Sequence, residues 1–178
     1  LPDRKDRMQR FNANNPYLEY ELFKAVEGYK VGYEKLLSQG FDTDHNWIDP
    51  ILKTPLTKGE VGCFLSHWHL WNKCIEKNEP IIVLEDDAIL TDKFDVEEIS
   101  KLEYDFVYLG WKEMDKSKDI NDDLVIPVYP YWTLAYMIRP EAARVLVNDV
   151  IKCNIIPVDE YLPTKMPEIK VAGYKENV

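Results

Sequence analysis

Three consecutive carboxylates, Glu85-Asp86-Asp87, stand at the end of a four-residue aliphatic run, Ile81-Ile82-Val83-Leu84, that follows Pro80. Three acids at the margin of a core need a counter-charge, and a divalent cation with oxygen ligands is the simplest supply. A short β-branched run reads as a strand buried on both faces. The carboxyl end of such a strand is where an open α/β sheet holds its ligands. The chemistry expected here is metal-assisted; the competing reading is an acidic, solvated turn. Along an extended backbone Glu85 and Asp87 would point to one side and Asp86 to the other. A second acidic pair, Asp159-Glu160, follows the apolar Ile155-Ile156-Pro157-Val158. It could supply a proton acceptor, or Asp159 could cap a helix beginning near Tyr161.

Two other groupings resemble metal sites. Asp42-Thr43-Asp44-His45 lies in a loop rich in Asp and Pro. No buried strand leads into it, and Asp bonds its own backbone in turns, so it reads as a turn. Cys63 and His67 are spaced i, i+4 on an expected helix, but two ligands do not make a zinc site. A packed or hydrogen-bonded His67 is the expectation, and nothing nearby in sequence would activate Cys63 as a nucleophile.

The elements that would position these groups follow from pattern. Thr57-Lys58-Gly59-Glu60 is a capping box opening a helix to about Lys77. Val61, Phe64, Leu65, Trp68, Trp71 and Ile75 form its apolar stripe. That helix leads into the acidic strand. Asp105–Gly110, Leu124–Tyr129 and Trp132–Ile138 read as further strands, Tyr20–Val26 as an earlier one, and 111–124 as a charged, mobile loop. Pro140 starts a helix to about Val150; Tyr33–Ser38 reads as a short helix ended by Gly40. Residues 3–13 form an amphipathic helix with Arg4, Arg7 and Arg10 as a basic stripe, which is a solvated face or a source of local positive charge. The alternation of helix and strand is the α/β signature.

At 178 residues the chain has the size of one domain, and 46% apolar residues place it with globular rather than disordered chains. No apolar run reaches the ~18 residues of a membrane span. The net charge of −10 argues against nucleic-acid partners and anionic membranes, and it means that an anionic ligand needs local cations. Cys63 and Cys74, on one helix, would stand about 16 Å apart, beyond disulfide reach; with Cys153 they form no framework. The chain opens on Leu1-Pro2-Asp3-Arg4 without a preceding strand and reads as trimmed at one or both ends.

Several motifs in order resemble glycosyltransferase family 25: Pro55-Leu56-Thr57-Lys58-Gly59-Glu60-Val61-Gly62-Cys63-Phe64-Leu65-Ser66-His67, followed by Leu84-Glu85-Asp86-Asp87. Tyr131-Trp132-Thr133-Leu134-Ala135-Tyr136, Glu141-Ala142-Ala143-Arg144 and Ile156–Pro163 resemble its collagen hydroxylysine galactosyltransferase branch. The resemblance implies one GT-A-type, Rossmann-like domain over 1–178, with a mixed, mostly parallel sheet flanked by helices. It implies inverting transfer of a hexose, galactose by the branch, from a UDP-sugar with Mn²⁺ or Mg²⁺. The acceptor would be hydroxylysine in a collagen-like chain. Transfer to a lipooligosaccharide or other glycan acceptor and a nonenzymatic UDP-binding relative are the alternatives. A homodimer is left open. The compartment would be the endoplasmic reticulum lumen for a eukaryotic collagen-type enzyme and the cytoplasm for a bacterial or viral one.

By the same resemblance Asp87 holds the metal, with Asp86 a second ligand or a supporting group, and Glu85 faces the ribose. Asp159 is the expected base, with Glu160 second. Arg4 and Arg7 would hold diphosphate or uridine, Glu27 and Gly28 would border the base, and Gly59 and Gly62 would let backbone approach the donor. Trp111, Tyr131 and Trp132 are candidates for stacking on sugar or acceptor, against the plainer reading that Trp132 belongs to the core.

Overall fold

A six-stranded sheet in the order β1-β5-β2-β6-β4-β3 organises the chain in the computed structural model, which describes residues 4–44, 46–50, 53–150 and 154–178. Its strands are β1 (Ile81–Leu84), β2 (Phe106–Asp115), β3 (Lys118–Asp119), β4 (Leu124–Ile126), β5 (Tyr129–Ile138) and β6 (Val171–Tyr174). The helices are α1 (Lys5–Asn14), α2 (Tyr33–Ser38), α3 (Lys58–Lys77), α4 (Val96–Lys101), α5 (Pro140–Val150) and α6 (Val158–Lys165). His45 of the Asp42 turn and Cys153 lie outside the described residues.

The mixed α/β class is as expected, but the mostly parallel sheet is not. Among the described strands of the sheet only β2 and β6 pair parallel; the pairs β1–β5, β2–β5, β3–β4 and β4–β6 are antiparallel. The reason is local: β2 returns through short strands and turns into β5, without the long helical crossover that parallel neighbours need. The acidic strand β1 is an edge strand, with Val83 alone fully buried, so a four-residue aliphatic run does not here signify a central position.

Period-2 alternation sorts the central strands into two cores. Phe106 and Tyr108 of β2, with Tyr136 and Ile138 of β5, pack against α3, α5 and α6 through Phe64, Trp71, Leu146 and Tyr161. Val107 and Leu109, with Ala135 and Met137, face α4 through Ile99 and meet Val178. Fully burying a side chain of this size contributes about 1.5–3 kcal/mol, which is why both strands are long and apolar on both sides.

Helix α3 starts as its sequence dictates. Thr57 Oγ1 accepts the Glu60 amide at 3.2 Å and Glu60 Oε2 accepts the Thr57 amide at 2.6 Å. It ends at Asn78 in a left-handed conformation. Three expectations fail. Tyr20–Val26 is irregular: Leu22 is 67% exposed, and the Val26 amide donates to Ser66 Oγ on α3 rather than to a strand. The segment after Gly110 is not a loop, since β2 continues to Asp115 and β3 follows. Helix α6 begins at Val158, not near Tyr161, with Pro157 as its cap residue.

Candidate functional site

The end of β1 is a turn, not a continued strand. The Ala88 amide donates to Glu85 O at 3.1 Å, and this turn breaks the side-to-side alternation expected of Glu85, Asp86 and Asp87. Asp86 and Asp87 therefore reach the same cation: Arg7 Nη1 lies 2.9 Å from Asp86 Oδ1, and Arg7 Nη2 lies 2.6 Å from Asp87 Oδ2. Asn15, buried at the end of α1, fixes this arrangement. Its amide donates to Phe11 O and Ala88 O at 3.0 Å, and its carbonyl accepts the Leu90 amide at 2.9 Å. The basic stripe is thus largely committed to carboxylates. Arg4 makes two 3.0 Å contacts to Asp6, which also pairs with Arg10.

Glu85 turns inward instead. Its Oε1 accepts from Thr133 Oγ1 of β5 at 2.7 Å and lies 3.7 Å from His67 Nε2 of α3. Burial pushes the Glu85 carboxyl up, but His67, Thr133 and Arg7 outweigh it and hold the group below the usual glutamate range. His67 is buried, with Nδ1 2.8 Å from Tyr136 Oη, and Tyr136 Oη also accepts Trp71 Nε1–H at 3.1 Å. Burial opposes a charged imidazole. Tyr136, Cys63 and Glu85 around the ring nevertheless hold its pKa well above the ordinary histidine value. Sequence spacing related Cys63 to His67 but gave no sign of Glu85, Thr133 or Tyr136 as their neighbours.

Asp159 stands in the first turn of α6, where no side chain caps the helix; the backbone N–H of Trp132 is close enough to lower its pKa somewhat. Burial, then repulsion from Glu85, raises its pKa to about 6. Glu160 is engaged elsewhere: Tyr129 Oη donates to its Oε1 at 2.6 Å. Of the second acidic pair, Asp159 alone lines the cleft.

That cleft has a volume of about 470 Å³, and Glu60, Cys63, Glu85, Asp87, Tyr131, Trp132 and Asp159 are among its walls. Trp132 is no core residue. It is 47% exposed, its backbone sits at φ 69°, and Lys112 Nζ lies 5.6 Å from its ring centre. A bulky residue in the left-handed region is strained, and here the strained residue lines the cleft. Trp111 does not join the cleft. It is buried, its indole N–H donates to Tyr174 O at 2.9 Å, and its ring covers Gly173.

The glycines divide in the same way. A Cβ on Gly28 would stand 1.7 Å from Lys58 O, and one on Gly62 would stand 2.6 Å from Gly28 N. Gly28 and Gly62 therefore let two backbones of this chain meet, the 28–30 turn and α3, rather than a backbone and a donor. Gly59 has ordinary space. Glu27 pairs with Lys30 at 2.6 Å.

A mixed α/β domain with converging carboxylates and a perturbed aspartate in one cleft has the makings of an active centre. The comparisons give its class. A family model described as Glycosyltransferase family 25 (LPS biosynthesis protein) matches residues 1–162. Procollagen galactosyltransferase 1-B of Xenopus laevis is 34% identical over 98% of this chain and 31% of its own length. Human procollagen galactosyltransferase 2 is 34% identical over 98% and 30%. The human protein named inactive glycosyltransferase 25 family member 3 is 34% identical over 98% and 32%. The chain belongs to glycosyltransferase family 25, and it spans about a third of the length of these relatives. Among the described residues no helix is long and apolar enough to cross a membrane.

Proposed function

We propose that this domain is the centre of a divalent-metal-dependent, inverting glycosyltransferase that moves galactose from UDP-galactose to hydroxylysine in a collagen-like chain. The observation that carries the reading is Asp159: a carboxylate with pKa about 6, in a cleft that also presents Asp87. A base poised one unit below neutral is ionised at working pH yet keeps proton affinity. The names of the procollagen galactosyltransferase relatives supply the donor sugar and acceptor class.

Asp86 and Asp87 fit a metal role because both already converge on one cation, Arg7. When bound there, Mn²⁺ or Mg²⁺ supplies Lewis-acid stabilisation of the departing diphosphate. The remaining work falls to the chain. Asp159 takes the proton of the acceptor hydroxyl as that oxygen bonds to the anomeric carbon and the bond to UDP breaks. The nearby Trp132 amide favours the ionised form of Asp159. Tyr131 and the exposed ring of Trp132 offer a wall for a sugar or acceptor side chain. Glu85, fixed by Thr133, presents its other oxygen for a ribose hydroxyl.

The test is transfer from UDP-galactose to a hydroxylysine peptide with Mn²⁺, compared with UDP-glucose, UDP-N-acetylglucosamine and a lactosyl acceptor. Asp87→Ala should abolish metal-dependent donor binding; unchanged metal-dependent binding refutes the metal assignment. A second reading, a UDP-binding domain without turnover, is favoured by the equal identity to the inactive human family member. Metal-dependent donor binding with neither transfer nor UDP-galactose hydrolysis would establish it.

A further inference from the structure

We propose that Cys63, His67 and Glu85 form a three-ligand site for a transition-metal ion of the Zn²⁺ class, separate from the Asp86–Asp87 pair and with its fourth position open to the cleft. One ligand atom from each residue lies within 4.8 Å of the other two. His67 Nε2 and Glu85 Oε1 are already 3.7 Å apart. Two ligands about 2.0 Å from a tetrahedral ion stand roughly 3.3 Å apart, and pairs involving sulfur somewhat farther. Closing the triangle around an ion therefore needs shifts of about an ångström or less.

The chain brings the three together by separate routes. Cys63 and His67 share one face of α3 at i, i+4, next to the capping box that fixes the helix start. Glu85 arrives from the end of β1, turned inward by the bend that sends Asp86 and Asp87 to Arg7. The donor set selects the ion. A thiolate and an imidazole suit zinc or cobalt, whereas magnesium and manganese prefer the all-oxygen Asp86–Asp87 pair. Cys63 is the thiol within reach of His67 and Glu85, whereas the Cys74 thiol is directed to Glu79 O and Ile138 O.

Two supporting contacts have the form that metal ligands use. Tyr136 Oη sits 2.8 Å from His67 Nδ1. Accepting Nδ1–H would leave Nε2 bare toward Glu85, and Trp71 Nε1–H holds the phenol in place. Thr133 holds Glu85 Oε1 at 2.7 Å. Such outer contacts fix the tautomer and orientation of ligating groups. The ring is buried while Cys63 and Glu85 both line the cleft, so a bound ion would have one accessible side. Three protein ligands with an open position is the pattern of a reactive or inhibitable zinc centre rather than of a closed structural one.

The experiment is titration of the reduced full chain with Co²⁺, read as thiolate-to-cobalt charge-transfer absorption, followed by displacement with Zn²⁺. One equivalent should produce the band and Zn²⁺ should remove it. Cys63→Ser should lose it while keeping its circular dichroism and unfolding temperature. Asp87→Ala should keep it, and that result separates this site from the transferase assignment. Tyr136→Phe should weaken Co²⁺ binding by about 10- to 100-fold without removing the band. No charge-transfer band in the folded wild type, or a band unchanged in Cys63→Ser, would overturn the proposal. If Cys63→Ser unfolds, His67→Gln and alkylation of Cys63 in the native chain take its place, with the same loss expected.

Discussion

Replacing Asp159 by Asn should make the protein more stable and less active at once. The folded pKa is about 6 against an ordinary 3.8, a difference of roughly 2.2 units at about 1.4 kcal/mol each, hence an upper bound on the order of 3 kcal/mol. The sign follows from linkage. An acid whose pKa is raised on folding binds its proton more tightly in the native state. Its stabilising contribution is complete below about pH 4, where both states are protonated, and is lost as pH rises through about 6. Ionised Asp159 is therefore a cost at neutral pH. Asparagine mimics the protonated group in size and neutrality. Urea unfolding at about pH 8 should show Asp159→Asn more stable than wild type by up to about 3 kcal/mol. The gain should vanish near pH 4, and titrating groups that are not coupled to Asp159 cancel in the difference. Transfer activity should fall about 10²- to 10⁴-fold, the range for loss of a general base. Equal stability at pH 8, or a gain that does not change with pH, would refute the burial argument. Retained activity would refute the base.

The wild-type rate should climb as pH rises through about 6, the range in which Asp159 ionises; a flat profile from pH 5 to 8 would count against it. Gly28→Ala should destabilise by about 3 kcal/mol or more, because its Cβ would stand 1.7 Å from Lys58 O on a helix backbone that cannot yield; thermal unfolding reads this directly, and a loss under about 1 kcal/mol would mean that the 28–30 turn moves away freely. Trp132→Gly should relieve φ 69°, worth about 1–2 kcal/mol, so its unfolding free energy should not drop. Its acceptor KM should rise with little change in donor binding, and an unchanged acceptor KM would remove the stacking role.

Much of the fold was legible because local signals were consistent. The capping box and the apolar stripe mark α3 in the sequence itself. Pro140 opens α5 where proline is tolerated. Sheet order is a different matter. A short aliphatic run has the same appearance in a central parallel strand and in an edge strand such as β1, because what distinguishes them is the partner, here β5, some fifty residues away. Val171–Tyr174, which carries the parallel pairing to β2, is short and contains Gly173. Its small residues make room for Trp111 and give no periodic signal of their own. Tyr20–Val26 has strand composition, yet its first backbone partner in the fold is a serine hydroxyl on α3.

The site was legible as residue types and not as roles. The acidic triplet and the Asp159–Glu160 pair both stand out as carboxylates after apolar runs, but which carboxylate is available depends on contacts that no spacing reveals. Tyr129 occupies Glu160, while Asp159 lines the cleft with its pKa raised by burial and by Glu85. Within the triplet, strand alternation would group Glu85 with Asp87. The turn closed by the Ala88 amide regroups them, so that Asp86 and Asp87 share Arg7 and Glu85 joins His67. That one hydrogen bond changes what the three acids can do. Two remain at the surface beside a guanidinium, suited to a hard cation and a diphosphate. The third, half-buried, stands beside an imidazole and a thiol. The change from extended chain to turn happens over a single residue, where sequence periodicity has no resolving power.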